Sequence, residues 1–391
     1  MKERPLRPGL DTKMTFNLKS PFIAGAVILV LFLFFRLFVG GWDFSYFVVA
    51  GDDFVDSGVN EIKTQQGPGY DGQFFYHFAL DPTGNSNTGI TVDHPAYRHQ
   101  RILYPVLAWL FAFGSWKFIP FTLVLVNVLS LLFSIALLEK MFEKFELDQR
   151  WSYLPFLLSG LWMALGRDLA EVLELFLLIS FLFALSEKKR WLTVTLATAI
   201  LFTRESSVLL IGPILLYLAA RSMNKFKELI MLSFPLITLA IWKACLYFLY
   251  ASPQVVEGSN NLTWPVLGIY QGFMQNYQAA FDLTGIAEFM IWIMHFTWNA
   301  WLVALCATLI IKRVQGIPTY LIWAWISGLF FALCFSASIY NDDWSFARVL
   351  TGFNLLSFLI LAYGKRMPSK YFVLYTFALT ATTVLRLWLR P

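Results

Sequence analysis

The chain has 391 residues, 58% of them hydrophobic and only 14% charged, with a mean hydropathy of +0.61. A soluble domain carries roughly a quarter charged residues, so this balance excludes an ordinary soluble protein and identifies an integral membrane protein. The net charge of +5 is no argument for nucleic acid, which is not expected as a partner, because the placement of these charges follows the membrane.

Eleven apolar stretches follow one another along the chain, near 22–39, 118–138, 151–165, 169–186, 191–204, 206–220, 229–248, 286–311, 317–336, 349–364 and 371–388. A helix of about 20 such residues covers the ~30 Å of hydrocarbon, and the short alternating segments of a transmembrane barrel are missing. The expected fold class is therefore an all-α polytopic bundle of eleven helices. It is read as one integral membrane domain over 1–391, with an outer loop at 41–117 and the rest of the bundle at 118–391. The first stretch is long for a secretory signal and has no small-residue cleavage site, so it is expected to stay as the first helix. Cys245, Cys306 and Cys334 fall inside apolar stretches and read as small hydrophobes.

Basic residues orient the bundle. With the N-terminus in the cytoplasm, six short inside segments collect 19 of the 30 Lys and Arg. They begin with Lys2, Arg4, Arg7, Lys13 and Lys19, and end with Lys365, Arg366 and Lys370. The first outer loop holds acids instead, among them Asp43, Asp52, Asp53, Asp71, Asp81 and Asp93. The run 102–114 is too short to cross, and is read as an interfacial helix with Tyr104, Trp109, Arg101 and Lys117 at headgroup level. The other outer segments are 249–285 and 337–348.

This orientation gathers the chain's unusual charges on one face. Asp71 lies in Tyr70-Asp71-Gly72-Gln73, and Arg98 and Arg101 lie in Tyr97-Arg98-His99-Gln100-Arg101. Arg204 and Glu205 occupy a later outer turn, and Arg348 starts the tenth stretch. Arg167, Glu171 and Glu174 are spaced i, i+4, i+7 and would share one helical face. Ionisable groups at membrane depth are costly and are functional candidates by default. Arginine forks suit phosphate oxygens, and a neighbouring carboxylate suits general-base work.

Plainer roles stand beside these. Asp71 could cap the helix starting at Gly72, and Asp52 and Asp53 could form a solvated turn. Arg167 with Glu171, or Arg204 with Glu205, could be structural ion pairs. Arg36 is expected to reach up to the interface, and His295 to be a hydrogen-bonded core histidine. His77, His94 and His99 make only a thin case for metal, and Asn261-Leu262-Thr263 matches a glycosylation sequon by three residues.

The pattern resembles the GT-C superfamily of polytopic glycosyltransferases, whose first span leads to a long outer loop with a catalytic acid and two surface helices. Residues 70–79 look like the first surface helix with its acid, and Tyr97-Arg98 through Arg101-Ile102-Leu103-Tyr104-Pro105 look like the second. Leu201-Phe202-Thr203-Arg204 is similar to a phosphate-contacting Leu-Thr-Lys segment, and Arg348 resembles an arginine found before the late spans. The chain departs from larger relatives in having no second proline after Pro105, no plain Asp-Glu pair beside the first span and no expected C-terminal soluble domain. Asp52-Asp53 is the nearest substitute for that pair, which leaves it open whether Asp71 or Asp52/Asp53 is the base.

The resemblance implies an inverting, hexosyltransferase-like enzyme of the cytoplasmic membrane with its site on the outer face, surrounded by membrane lipids. Its donor would be a polyprenyl-phosphate monosaccharide and its acceptor a lipid-linked or cell-surface glycan. Asp71 is the expected base, with Asp52 and Asp53 orienting the acceptor or holding an optional divalent cation, Mg or Mn. Arg98, Arg101, Arg204 and Arg348 would hold phosphate, Glu171 would fix Arg167 or meet sugar hydroxyls, and Glu205, Tyr97 and Tyr104 would complete the site. The rival readings are a lipid-linked-sugar flippase and a non-catalytic subunit of a polysaccharide assembly complex.

Overall fold

Long apolar stretches with few helix breakers leave the backbone one way to satisfy its own hydrogen bonds, and helices dominate the result. The computed structural model describes residues 20–56, 61–222, 224–250 and 261–389. The basic residues Lys2 to Lys19, and 251–260 of the outer segment 249–285, lie outside the described residues.

Helix α1 (Pro21–Val39) starts on Ser20, whose hydroxyl accepts the Phe22 N–H, with Pro21 in its first turn. A loop follows in which strands β1 (Ala50–Gly51) and β2 (Thr64–Gln65) pair in parallel, the single sheet among the described residues. Three short helices, α2 (Gly72–Leu80), α3 (Pro95–His99) and α4 (Leu103–Phe111), complete the loop. The bundle continues with α5 (Ile119–Lys144), α6 (Ser159–Gly166), α7 (Glu171–Ser186), α8 (Arg190–Thr203), α9 (Val208–Arg221) and α10 (Lys225–Tyr250). After these come α11 (Leu267–Ala279), α12 (Leu283–Ile311), α13 (Thr319–Cys334), α14 (Ala337–Tyr340), α15 (Asp343–Val349), α16 (Thr351–Tyr363) and α17 (Lys370–Leu389).

Five of these, α1, α5, α10, α12 and α17, are long and apolar enough to cross a membrane. The pair α15 and α16, bent by 53°, makes a sixth if taken as one span. Large side chains such as Val30 and Phe38 on α1 and Phe248 on α10 stand exposed on the bundle's outside. They suit a hydrocarbon solvent better than water. One contiguous core runs from Leu29 on α1 to Leu387 on α17.

Three expectations change. The stretch 151–165 is not one helix: 3-10 turns over Gln149–Leu157, with Pro155 inside, precede the eight fully buried residues of α6. At 1.5 Å per residue that helix is only about 12 Å long. The run 102–114 does form a surface-loop helix, and Trp109 faces outward, but Tyr104 is wholly buried against α5. Arg36 does not reach for the interface. It is wholly buried, donates to the Gly166 and Leu387 carbonyls, and lies 4.3 Å from the Tyr46 ring centroid.

Candidate functional site

The Tyr70-Asp71-Gly72-Gln73 string has a structural reason at each position. The Tyr70 N–H donates to the Val49 carbonyl at 2.9 Å, which ties the string to the residue before β1, near the start of the loop. Gln73 accepts from the Gly51 N–H at 2.9 Å and donates to the Pro68 carbonyl at 2.9 Å, stapling α2 to the β1–β2 turn. Gly72 lets two backbones meet: a Cβ there would lie 2.4 Å from the Arg167 carbonyl oxygen and 2.6 Å from that of Val48. Asp71 is left at the start of α2 without capping it, since its side chain makes no cap hydrogen bond.

The Asp71 carboxylate turns instead to two arginines. Oδ1 accepts from Arg98 Nη1 at 2.8 Å, and Oδ2 lies 2.6 Å from Arg348 Nη2. Burial acts to raise the Asp71 carboxyl, but the Arg348 and Arg98 guanidiniums outweigh it and hold the group well below the usual carboxylate range. Asp71 is therefore ionised at any neutral pH.

The arginines are themselves tightly held. Arg98 also forms a fork with Asp93, Nε to Oδ1 at 2.9 Å and Nη2 to Oδ2 at 2.7 Å. Arg101 forms a second fork with Glu205, at 2.9 and 2.8 Å, and donates to the Tyr97 hydroxyl at 2.6 Å. Burial works to raise Glu205, yet Arg101 brings its carboxyl down to about 2. This pair clamps the loop after α3 to the turn between α8 and α9. Arg204, in the same turn, reaches Glu171 at 3.1 Å and Glu174 at 3.5 Å.

These groups border a cavity of about 980 Å³. Asp71, Tyr97, Arg98, Arg101, Arg204, Glu205 and Arg348 line it, so the structure brings together seven candidates from four separate parts of the sequence. One side is capped by 261–266, which hydrogen-bonds to the end of α13 through Thr263 N–H to Cys334 O and Val266 N–H to Leu333 O, both 2.7 Å. Asn261 there donates to the Tyr97 hydroxyl at 3.3 Å.

The other five candidates lie elsewhere. Asp52 and Asp53 are exposed in the first loop, and the Asp52 carboxylate accepts from the Gly67 N–H at 2.7 Å, a turn contact. Neither borders the cavity. Tyr104 hydrogen-bonds to the Leu123 carbonyl and Asn127 in the bundle interior. The Arg167–Glu171 pair does not form, because the chain leaves the helix at Gly166 and Asp168 adopts φ +49° before α7 begins. Glu171 stands behind the cavity wall between Arg204 and Arg348, the latter at 3.7 Å.

Arg167 belongs to a stack. Its guanidinium carbon lies 4.2 Å from the Tyr70 centroid and 4.1 Å from that of Trp344. Beyond Trp344 the row continues with Arg386 at 4.3 Å, and beyond Tyr70 with Arg348 at 5.1 Å. Cations and aromatic faces alternate from α17 to the arginine that holds Asp71.

Neither the histidines nor Asp52 and Asp53 gather for metal. Among the described residues no group of three or more His, Cys, Asp or Glu is arranged to hold an ion. His77 bonds to the Thr88 hydroxyl at 2.6 Å, and His99 to the Tyr250 hydroxyl at 2.8 Å. His295 is a core residue near Ser159 (3.4 Å) and Asp343 (3.7 Å).

Sequence reasoning gave no site role to Asp93, Glu174 or Lys243. Asp93 precedes a helix carrying Arg98 five residues on, a spacing that invites a pair. Glu174 was visible as a charge in an apolar stretch, but its partner was not. Lys243, on α10, also borders the cavity, and a charge on a helix apolar enough to cross a membrane marks a candidate.

No protein-family model, curated protein or solved structure matches this chain.

Proposed function

We propose that the chain is a membrane glycosyltransferase that moves a monosaccharide from a polyprenyl-phosphate carrier to a lipid-linked or cell-surface glycan. The observation that carries this reading is the Asp71 carboxylate at the wall of a large cavity, held by two arginines. In this reading the apolar stretches are crossings, 151–165 as a broken one, the N-terminus is cytoplasmic, and the cavity opens at the outer face of the cytoplasmic membrane.

The chemistry is an inverting displacement. An acceptor hydroxyl attacks the anomeric carbon of the donor, its proton passes to Asp71, and the polyprenyl phosphate leaves with the electrons of the broken C–O bond. A carboxylate gripped by two guanidiniums is a weak proton acceptor. It gains basicity when phosphate draws Arg98 or Arg348 toward itself, so the base strengthens once the donor is seated. Asp93, Glu171 and Glu205 orient the arginines, and Tyr97 and Asn261 offer hydrogen bonds to sugar hydroxyls.

The test is a transfer assay with the purified chain in liposomes, a polyprenyl-phosphate sugar labelled in the sugar, and a mixture of membrane glycolipid acceptors. Label moving to a new lipid-linked or glycan product supports the reading. Label that crosses the bilayer still attached to its carrier would make the protein a flippase. Label that neither moves nor transfers would leave only an assembly role.

A further inference from the structure

The charges around the cavity nearly cancel. Arg98 is held by Asp71 and Asp93, Arg348 by Asp71 and Glu171, Arg204 by Glu171 and Glu174, and Arg101 by Glu205. Four guanidiniums thus face five carboxylates. An arriving phosphate meets cations that are already paired and acids that repel it, so this wall makes a poor first contact for an anion.

Lys243 is different. It sits on α10, one of the helices apolar enough to cross a membrane, and its half-buried side chain lines the same cavity. Among the described residues it has neither a hydrogen bond nor an ion pair. Lys243 is the single charged residue between Leu229 and Tyr250, so no other charge on this part of the helix compensates it. Lys243 lies seven residues before Tyr250, roughly 10 Å down the helix from the tyrosine that meets His99. An unpaired ammonium at such a position is expensive, and its natural complement is an anion that enters from the membrane side.

Part of the wall is apolar: Leu239, one turn from Lys243, and Val208, Leu209, Leu262 and Ile339 line the same cavity. We propose that Lys243 is the anchor for the phosphate of a lipid-linked substrate, with these side chains taking the first units of the lipid tail. This deepens the function proposed above and rests on it for the lipid nature of the ligand. Lysine supplies a compact point charge without the geometric demands of an arginine fork. It can therefore receive a phosphate without breaking any existing pair. The arginines exchange partners only afterwards, once the seated phosphate draws Arg98 or Arg348 toward itself.

The experiment compares farnesyl phosphate with farnesol, which has the same chain and no phosphate, binding to the full chain in neutral phosphatidylcholine nanodiscs. Wild type is expected to prefer the phosphate. Lys243→Gln should lose on the order of ten- to a hundredfold of that preference, the range of one charged contact, with farnesol binding unchanged. Lys243→Arg should recover most of it. Thermal melting of Lys243→Gln should match or exceed wild type, because the lysine has no partner to lose among the described residues. A structural lysine would not behave that way. If Lys243→Gln keeps the full preference for phosphate, the anchor lies elsewhere and the inference is wrong, with the transfer reaction untouched. If wild type itself does not distinguish the two lipids, Lys243 and the phosphate-lipid donor fall together.

Discussion

Replacing Asp71 by Asn separates chemistry from scaffolding. The substitution keeps the shape, removes the charge, and leaves Arg98 and Arg348 to their other partners. Arg98 retains its fork with Asp93, whereas Arg348 retains only Glu171 at 3.7 Å. The three side chains are 14–18% exposed, between the surface and buried limits for ion pairs. The expected stability loss is therefore about 2 kcal/mol, below the cost of stranding a fully buried charge. The activity loss should be far larger, about 10²- to 10⁴-fold in kcat, the usual contribution of a positioned base. The control is Asp93→Asn, which also strips a fork from Arg98 but takes no proton. It should melt similarly and lose less than about tenfold in transfer. The assay is label transfer in liposomes alongside thermal melting in detergent. If the two variants lose activity equally, or if Asp71→Asn retains most of it, Asp71 only holds arginines and the proposed mechanism is refuted.

Gly72→Ala should destabilise the fold by about 1–3 kcal/mol, because its Cβ would press on two carbonyl oxygens belonging to backbone rather than to flexible side-chain tips; a melting temperature equal to wild type would contradict this. Glu205→Gln should cost about 2–4 kcal/mol by leaving Arg101 without its fork, and combining it with Arg101→Gln should cost less than the sum of the two single changes in a double-mutant cycle. Stability should also depend on acidity. Asp71 and Glu205 both have depressed native values, so their contribution is fully present above the unfolded carboxylate value of about 4 and is lost as pH falls through the native values, about 2 for Glu205. Melting curves should be flat from neutral pH down to about 5 and drop steeply below about 4; a loss beginning near pH 6 would point to other groups.

How much of this was readable in advance varies by residue, and for physical reasons. Apolar length is a local property, so all eleven stretches fall on helical segments, although 151–165 is broken by its prolyl turn. Tyr70-Asp71-Gly72-Gln73 could be singled out because a polar string among aromatics is conspicuous. The job of Gly72 could not, because it depends on Arg167, distant in sequence. The i, i+4 pairing of Arg167 with Glu171 failed because periodicity assumes an unbroken helix, and a left-handed residue at Asp168 resets the phase. Arg204 was found as a charge, but its partners on α7 could only come from tertiary packing. Tyr104 and Trp109 belong to one short helix, and their opposite exposures follow from which side meets α5. Lys243 was passed over because one charge barely changes the hydropathy of a long apolar stretch.

The row of rings and guanidiniums from Arg386 to Arg348 has a consequence for biogenesis. Its far end belongs to α17, which also receives Arg36 of α1 through the Leu387 carbonyl. The first helix and the Asp71 loop are synthesised hundreds of residues before the segment that braces them. Until Lys370–Leu389 has joined the bundle, Trp344 lacks the cation on its outer side, and Asp343 lacks the arginine that pairs with it. A nascent chain lacking α17 would thus carry its Asp71 loop unbraced, and the charged wall of the cavity would mature among the last parts of the protein to do so.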